Sequence, residues 1–477
     1  MCWNCTLGVL QKVHEMRGLA FLLFAFPLFL SAQIKNVTLL DHWSDSTLIT
    51  NSSQVRYSGC YSFSKAGHDY AVIGTTEGFH IFEITIDNSL TFIDSIKGNY
   101  ISSQAITREY AHYDDFLYAI GDEGDASLQI IDLSNLPDSV NLVSEIQDER
   151  VGKAHNIYID SSRALMYLCL VTPIVNGMEA SMIPLRVYSL ENPLSPSTIF
   201  SGFDDLSEVH DFEFKESVGI LNCGFQGIRV YDFSIPEAPI YLNNLEFYQE
   251  QGYNHQGSLS EDGLTYVFAD ETPGTRVKKC TVSETYGLQV QQLFGVENTP
   301  YDKTAHNIKV IGNLAYMAYY NDGLRIYDLR NNPPNEIAAY DTHTDLPGNE
   351  FSMWGAWGIE ANASNNRVLI SDRISGLYLF EFDRAFFEQA KSPSRVTCYP
   401  NPVSSGDPVI VRMTDDRISL FKITLSDQTG KEILTKEIID NSYVAITLNV
   451  AQGTYFLKIE FPEELILQNE TLKLIVN

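Results

Sequence analysis

The feature that most limits what this chain can fold into is a unit of about fifty residues, a period typical of propellers and arrays, that recurs between positions 50 and 385. It is clearest in "GNLAYMAYYNDGLRIYDLRNNPPNEIAAYDTH" (312 to 343). There two alternating runs flank a turn at Asn321, Asp322 and Gly323, and a Pro-containing loop leads to a third run. Alternation of period two, broken by Asn, Asp and Gly, marks strands joined in hairpins. With "AHNIKV" in front, the unit has four strands. The same order returns at 219 to 247, 116 to 146 and 69 to 96, at 165 to 200 with a longer insertion, and in divergent form at 264 to 294. The run "RVLISDRISGLYLFEFD" (367 to 383) matches the middle of the unit and then stops.

Seven units begin near residues 53, 101, 153, 208, 253, 305 and 353. Four-stranded units of this length are the size of propeller blades, so the expected fold is all-β, with a seven-bladed β-propeller over residues 33–385. The seventh unit lacks its outer strand, while "IKNVTLLDHWSD" (34 to 45) has the pattern of one. Pairing the two would close the ring and protect its edges. The runs "GLRIYDL", "GIRVYDF" and "LQIIDLS", each followed by a Pro-containing loop, resemble the LVIVD repeat of secreted propeller proteins. "YNHQGSLSEDGLTYVFADE" with "TAHNIKVIGNLAYMAYYNDGLRIYD" is similar to the propeller group called choice-of-anchor B. This resemblance covers residues 34 to 385 and implies a fold but no particular reaction.

Both ends speak to export. Met16 and Arg17, then "GLAFLLFAFPLFL", then "SAQ", give the positive, apolar and small-residue regions of a signal peptide. Residues 1–32 are therefore read as a leader, with Gln33 first after cleavage. The residues before Met16 fit no part of a leader and suggest a misassigned start, so Cys2 and Cys5 are not read as a pair. Beyond it there is no run of about 18 apolar residues, so no transmembrane helix is expected in the mature chain. Pro, Ser and Gly gather in "SPSRVTCYPNPVSSGDP" (392 to 408), which predicts a linker at 386–395 and a second domain at 396–477. The alternating runs of that tail predict a small C-terminal β-sandwich. "YPNPV" (399 to 403), "DQTGKEI" (427 to 433), "GTYFLKI" (453 to 459) and "LKLIV" (472 to 476) make it similar to the C-terminal sorting domain of the type IX secretion system. The resemblance implies export, recognition of residues 396–477 by the type IX machinery, and passage through the outer membrane. The tail is then usually removed, and the protein attached to the surface or released.

With 61 acidic against 32 basic residues and a formal charge of −29, the chain would repel nucleic-acid phosphates. Nucleic acid is excluded as a partner on that ground. The five cysteines outside the leader are scattered, odd in number and without CxxC spacing, which argues against a disulfide framework or a zinc site.

Four units open on a histidine followed by Asn, Asp or Gln: "KAHNIYI", "EVHDFEF", "YNHQGSL" and "TAHNIKV". Alignment places His155, His210, His255 and His306 at the start of the innermost strands of blades three to six, around the mouth of the central channel. Asn156, Asp211, Gln256 and Asn307 are their neighbours. Blades one and two offer Ser58, Gly59, Cys60 and Gln104 at comparable places, and blade seven offers Trp354 and Trp357. Such a mouth, with His155, His210, His255, His306, Asn156, Asn307, Trp354 and Trp357, could grip a sugar or a peptide. Imidazole also suits Zn, Cu, Fe or Ni, and His255, His306 and Asp270 are the metal set the pattern raises. Asp270 and Glu271 follow a strand in the blade that carries His255. The pattern names no cofactor, and a divalent metal ion is the candidate it raises. In the plainest reading His and Asn bond the next blade's backbone and hold the blades in register. His68 and His112 fall in expected hairpin turns and should be exposed. There is no GxSxG, HExxH, P-loop or GxGxxG after a strand, so no catalytic residue is identified. The expected function is a secreted or cell-surface recognition or adhesion module for a carbohydrate, peptide or protein. The rival is a surface metal-assisted hydrolase or lyase working at the channel mouth.

Overall fold

The computed structural model describes residues 34–295, 303–342, 353–362, 365–384, 396–414, 418–439, 441–461 and 470–477. The leader and the linker expected at 386–395 lie outside the described residues. Seven antiparallel sheets follow one another between residues 34 and 381, and two more make up the tail. The seven sheets' own strands run in chain order from an inner strand outward, and the last two of the seven each gain an outermost strand from the N-terminal segment. The inner strands are Tyr57–Lys65, Arg108–Tyr113, Asn156–Asp160, Asp211–Lys215, Asn254–Leu259, Ile308–Ile311 and Ala356–Ala361. Blade three carries an inserted hairpin, Ile174–Val175 with Met178–Glu179.

A middle strand of a blade is buried on both faces, which is why its sequence reads as a continuous apolar run. In Leu165–Val171, Met166 and Leu168 pack toward blade two while Leu165, Tyr167 and Cys169 pack toward blade four. Every neighbouring pair of blades shares one such apolar cluster, so the core is itself a ring of seven clusters. Hairpin turns supply the punctuation. Gly323 has φ 72°, and a Cβ there would lie 2.2 Å from the carbonyl oxygen of Tyr340, so glycine is required.

The N-terminal segment closes the ring. Thr38–Trp43 pairs antiparallel with Gly376–Glu381, Thr38 opposite Glu381 and Trp43 opposite Leu377. Its first two residues do something else: Ile34–Lys35 adds a fifth strand to blade six, against Asn335–Tyr340. Asn36, at φ 54°, turns the chain between the two blades and bonds Ile337 O through its amide at 2.6 Å. Asn tolerates that conformation better than most residues.

In blade two the inner strand starts at Arg108, so Gln104 lies in the preceding turn and not at the mouth. The side chain of Arg108 reaches blade one instead, with Nε 2.9 Å from Thr75 O. The described cysteines are all free, and four of the five are buried.

The tail is a sandwich of a three-stranded and a four-stranded sheet around one apolar core. Its "YPNPV" motif holds the last strand in place. Asn401 donates to Lys473 O at 2.8 Å and accepts from Ile475 N at 3.0 Å, while Val403 is buried and bridges Val476.

Candidate functional site: a histidine arc at the channel mouth

The histidines stand at the entry of the inner strands, one residue before the strand in blades three and four, two before it in blade six and at its second residue in blade five, and their neighbours line the channel below. The four histidines do converge. Ring centroids are 4.3 Å apart for His155 and His210, 4.4 Å for His210 and His255, and 4.3 Å for His255 and His306. Trp357 of blade seven extends the arc, stacked on His306 at 4.7 Å. It is buried, and the guanidinium of Arg373 lies 5.7 Å from its ring centre. Trp354 is half-buried and stacks on none of these rings.

The arc's hydrogen bonds set its chemistry. His306 Nδ1 lies 2.8 Å from Trp357 O, which fixes the proton there and leaves Nε2 as the basic nitrogen. His155 Nδ1 lies 2.6 Å from Asp122 Oδ2. Burial, with neighbouring imidazoles adding to it, pushes the pKa values of His210 and His306 well below the usual range. Burial also lowers that of His255. His155 is different: burial opposes its charge, but the hydrogen bond and charge of Asp122 outweigh it and lift the pKa to about 9. Three neutral imidazoles thus stand beside one imidazolium.

One carboxylate joins them. Glu271 Oε2 is 3.9 Å from His255 Nε2, and its Oε1 is 3.9 Å from His306 Nε2. The hydroxyl of Tyr320 donates to Oε1. His210, His255 and Glu271 each offer one ligand atom within 4.8 Å of the others. Asp270, expected in this role, turns the other way. Its carboxylate is fully buried, 2.7 Å from Lys278 Nζ, 2.7 Å from the Tyr248 hydroxyl and 2.9 Å from Gly252 N. Adjacent strand residues face opposite sides, and at this strand end the outward one is Glu271.

Below the arc lies a cavity of about 380 Å³ lined from all seven inner strands. Asn156 donates to Asp211 Oδ2 at 2.7 Å, and Gln256 clamps the backbone of Ile308 through N at 2.8 Å and O at 3.2 Å. Asn307 Oδ1 is buried there and accepts no hydrogen bond. Glu109, Asp211, Glu213 and Glu360 also face this space, with Lys309 among them. Burial raises all four carboxyl pKa values, that of Asp211 to about 7, while the charge of Glu360 raises that of Lys309.

Glu109, Lys309 and Glu360 are not singled out by the sequence reading. Aligning "TREYAH" with "AHNIYI" would have put Arg108 in the histidine position and Glu109 in that of Asn156. His68 is exposed and 2.6 Å from Glu83, whereas His112, expected in a turn, sits in an inner strand. It is half-buried there, with Nδ1 2.9 Å from the hydroxyl of Tyr61.

Residues 397–477 match the family described as the secretion system C-terminal sorting domain. The chain is thus a secreted, cell-surface protein, an all-β propeller carrying the sorting tail of the type IX secretion system. A comparison with curated proteins finds no match. Among solved structures it is similar to PorZ of Porphyromonas gingivalis, described as an essential bacterial surface component of the type-IX secretion system. The identity is 13% and the TM-score 0.44, over 91% of this chain and 61% of PorZ, so less than two thirds of PorZ is spanned. A protein from Lactobacillus plantarum (11% identity, TM-score 0.49, 82% of this chain and 99% of that one) is also similar. So are the WD40 repeats of RRP9 (10%, 0.49, 73% and 99%). The seven sheets and their closure, not these likenesses, define the propeller. Among the described residues no helix is long and apolar enough to cross a membrane.

Proposed function

We propose that the propeller is an extracellular recognition module whose channel mouth takes the polar end of a carbohydrate or peptide ligand. The observation that carries this reading is the polar cavity beneath the histidine arc, lined from all seven blades and holding an amide oxygen, that of Asn307, with no partner of its own. A buried acceptor without a donor is costly in a folded protein and is satisfied by a ligand donor. The carboxyl groups around it favour hydroxyl-rich or cationic groups over anions. His155, His210, His255 and His306 form the rim, Asn156 and Asn307 the floor below it, and Trp357 closes one side behind His306. The likeness of the repeats to LVIVD propellers of the choice-of-anchor B type agrees with a displayed module of this kind, held at the outer membrane or released from it.

The test is a screen of the exported protein against glycan and peptide arrays, followed by titration of the hits. Saturable binding that drops at least tenfold in Asn307→Ala and Glu360→Gln, with thermal unfolding unchanged, supports the reading. Hits that bind equally well to both variants would sink it. The rival, metal-assisted hydrolysis or elimination at the same mouth, is favoured by one observation, the approach of His210, His255 and Glu271. Turnover of an array hit, abolished in Glu271→Gln, would replace recognition by catalysis.

A further inference from the structure

We infer that the channel mouth is a binding site for one late first-row divalent metal ion, zinc in class, held by His210, His255 and Glu271. The three residues come from blade four and from two places in blade five, His255 at the entry of the inner strand and Glu271 just past the end of the next. Their ligand atoms lie within 4.8 Å of one another. Ligands of a tetrahedral zinc, at bonds of about 2.0 to 2.2 Å, stand roughly 3.4 Å apart. Side-chain movements of about an ångström would therefore close the set.

Burial and orientation agree with that geometry. His210 and His255 are 7% and 2% exposed, and His255 turns its Nε2 toward Glu271, 3.9 Å from Oε2. At that distance no hydrogen bond closes the gap. The surroundings also supply outer partners of the usual kind. The hydroxyl of Tyr320 holds the Glu271 carboxylate, and Trp357 O orients His306. The Nε2 of His306, 3.9 Å from Glu271 Oε1, stands ready beside the same carboxylate. Two imidazoles with one carboxylate leave a coordination position open and select zinc-like ions over calcium or magnesium, which prefer all-oxygen sets. Glu271 is 18% exposed and gives the ion its way in from the mouth.

This inference does not rest on the recognition reading, because metal is measured without any other ligand present. The experiment is titration of the exported protein, stripped by a chelator, with Co²⁺ followed by visible absorption, and with Zn²⁺ followed by calorimetry. One equivalent of Co²⁺ with the bands of four- or five-coordination is expected, displaced by Zn²⁺ and indifferent to excess Ca²⁺. His255→Ala should abolish it, and Glu271→Gln should weaken Zn²⁺ at least tenfold. Should His255→Ala fail to fold, as judged by circular dichroism, Glu271→Gln decides alone, because it keeps the shape of a partly exposed side chain. Absence of saturable binding in the native protein, or a Glu271→Gln protein with unchanged spectrum and affinity, overturns the assignment.

Discussion

His306 Nδ1 lies 2.8 Å from the carbonyl oxygen of Trp357, and their rings stack at 4.7 Å, so a side chain of blade six is fastened to the backbone of blade seven. The same device recurs around the ring, where Gln256 clamps Ile308 and Arg108 bonds Thr75 O. His306→Ala removes a buried ring and leaves a carbonyl without its donor. The expected loss is about 2–4 kcal/mol, read as a lower denaturation midpoint. A midpoint equal to that of the native protein would show that blade six is held by other contacts.

Asp270 and Lys278 form a fully buried pair at 2.7 Å. Asp270→Ala strands a charge in an apolar blade, and a loss of about 3–5 kcal/mol is expected. Replacing both, Asp270→Ala with Lys278→Met, should restore much of it. Metal or ligand binding should survive in the double variant, since neither residue faces the mouth. Loss of binding with intact folding would return Asp270 to the site.

His155 predicts a pH dependence with a definite sign. Its folded pKa, about 9, is above the ordinary value of 6.5 because Asp122 outweighs burial. The stability it contributes is complete below pH 6.5 and lost as pH rises through 9. His210 and His306 act oppositely: held neutral by burial, they contribute fully above 6.5, and their contribution declines as pH falls below it. Glu109 and Asp211 also act on His155. The stability gap between the native protein and Asp122→Asn should therefore narrow between pH 6.5 and 9, measured by urea unfolding at each pH. A gap constant across that range would mean that the pair does not titrate.

Much of this was legible beforehand. The hairpin turns at Asn321 to Gly323 and the period-two runs mark strands because their causes are local. The histidines could be placed because each repeats at one position of a repeated unit. Glu271 was harder to choose over Asp270, because the choice depends on which way the strand faces where it ends. The sequence register slips at that point, Asn254 opposing Asp270 and Gln256 opposing Ala269. Glu109 and Glu360 were hidden for a different reason. Each lies in a unit without the histidine, so only the assembled ring shows that seven inner strands present these carboxyls to one cavity.

The tail predicts a separable phenotype. Its core is complete within residues 396–476, and its match spans 397–477. Deleting residues 397–477 should leave the protein inside the cell envelope and absent from the surface, as judged by fractionation. Asn401→Ala loses two bonds to the last strand and should reduce delivery less severely. Normal surface levels after the deletion would show that another segment directs export.

The strand Thr38–Trp43 is synthesised before the other strands of its blade by more than 300 residues, and its partner Gly376–Glu381 is the last described strand of the propeller. A chain made from its N-terminus must keep that strand without its partner while six blades and most of a seventh are synthesised behind it. Its exposed edge is open to wrong pairing throughout that interval. A chain truncated before residue 376 leaves Thr38–Trp43 without a partner, so the ring cannot close and its edge stays open.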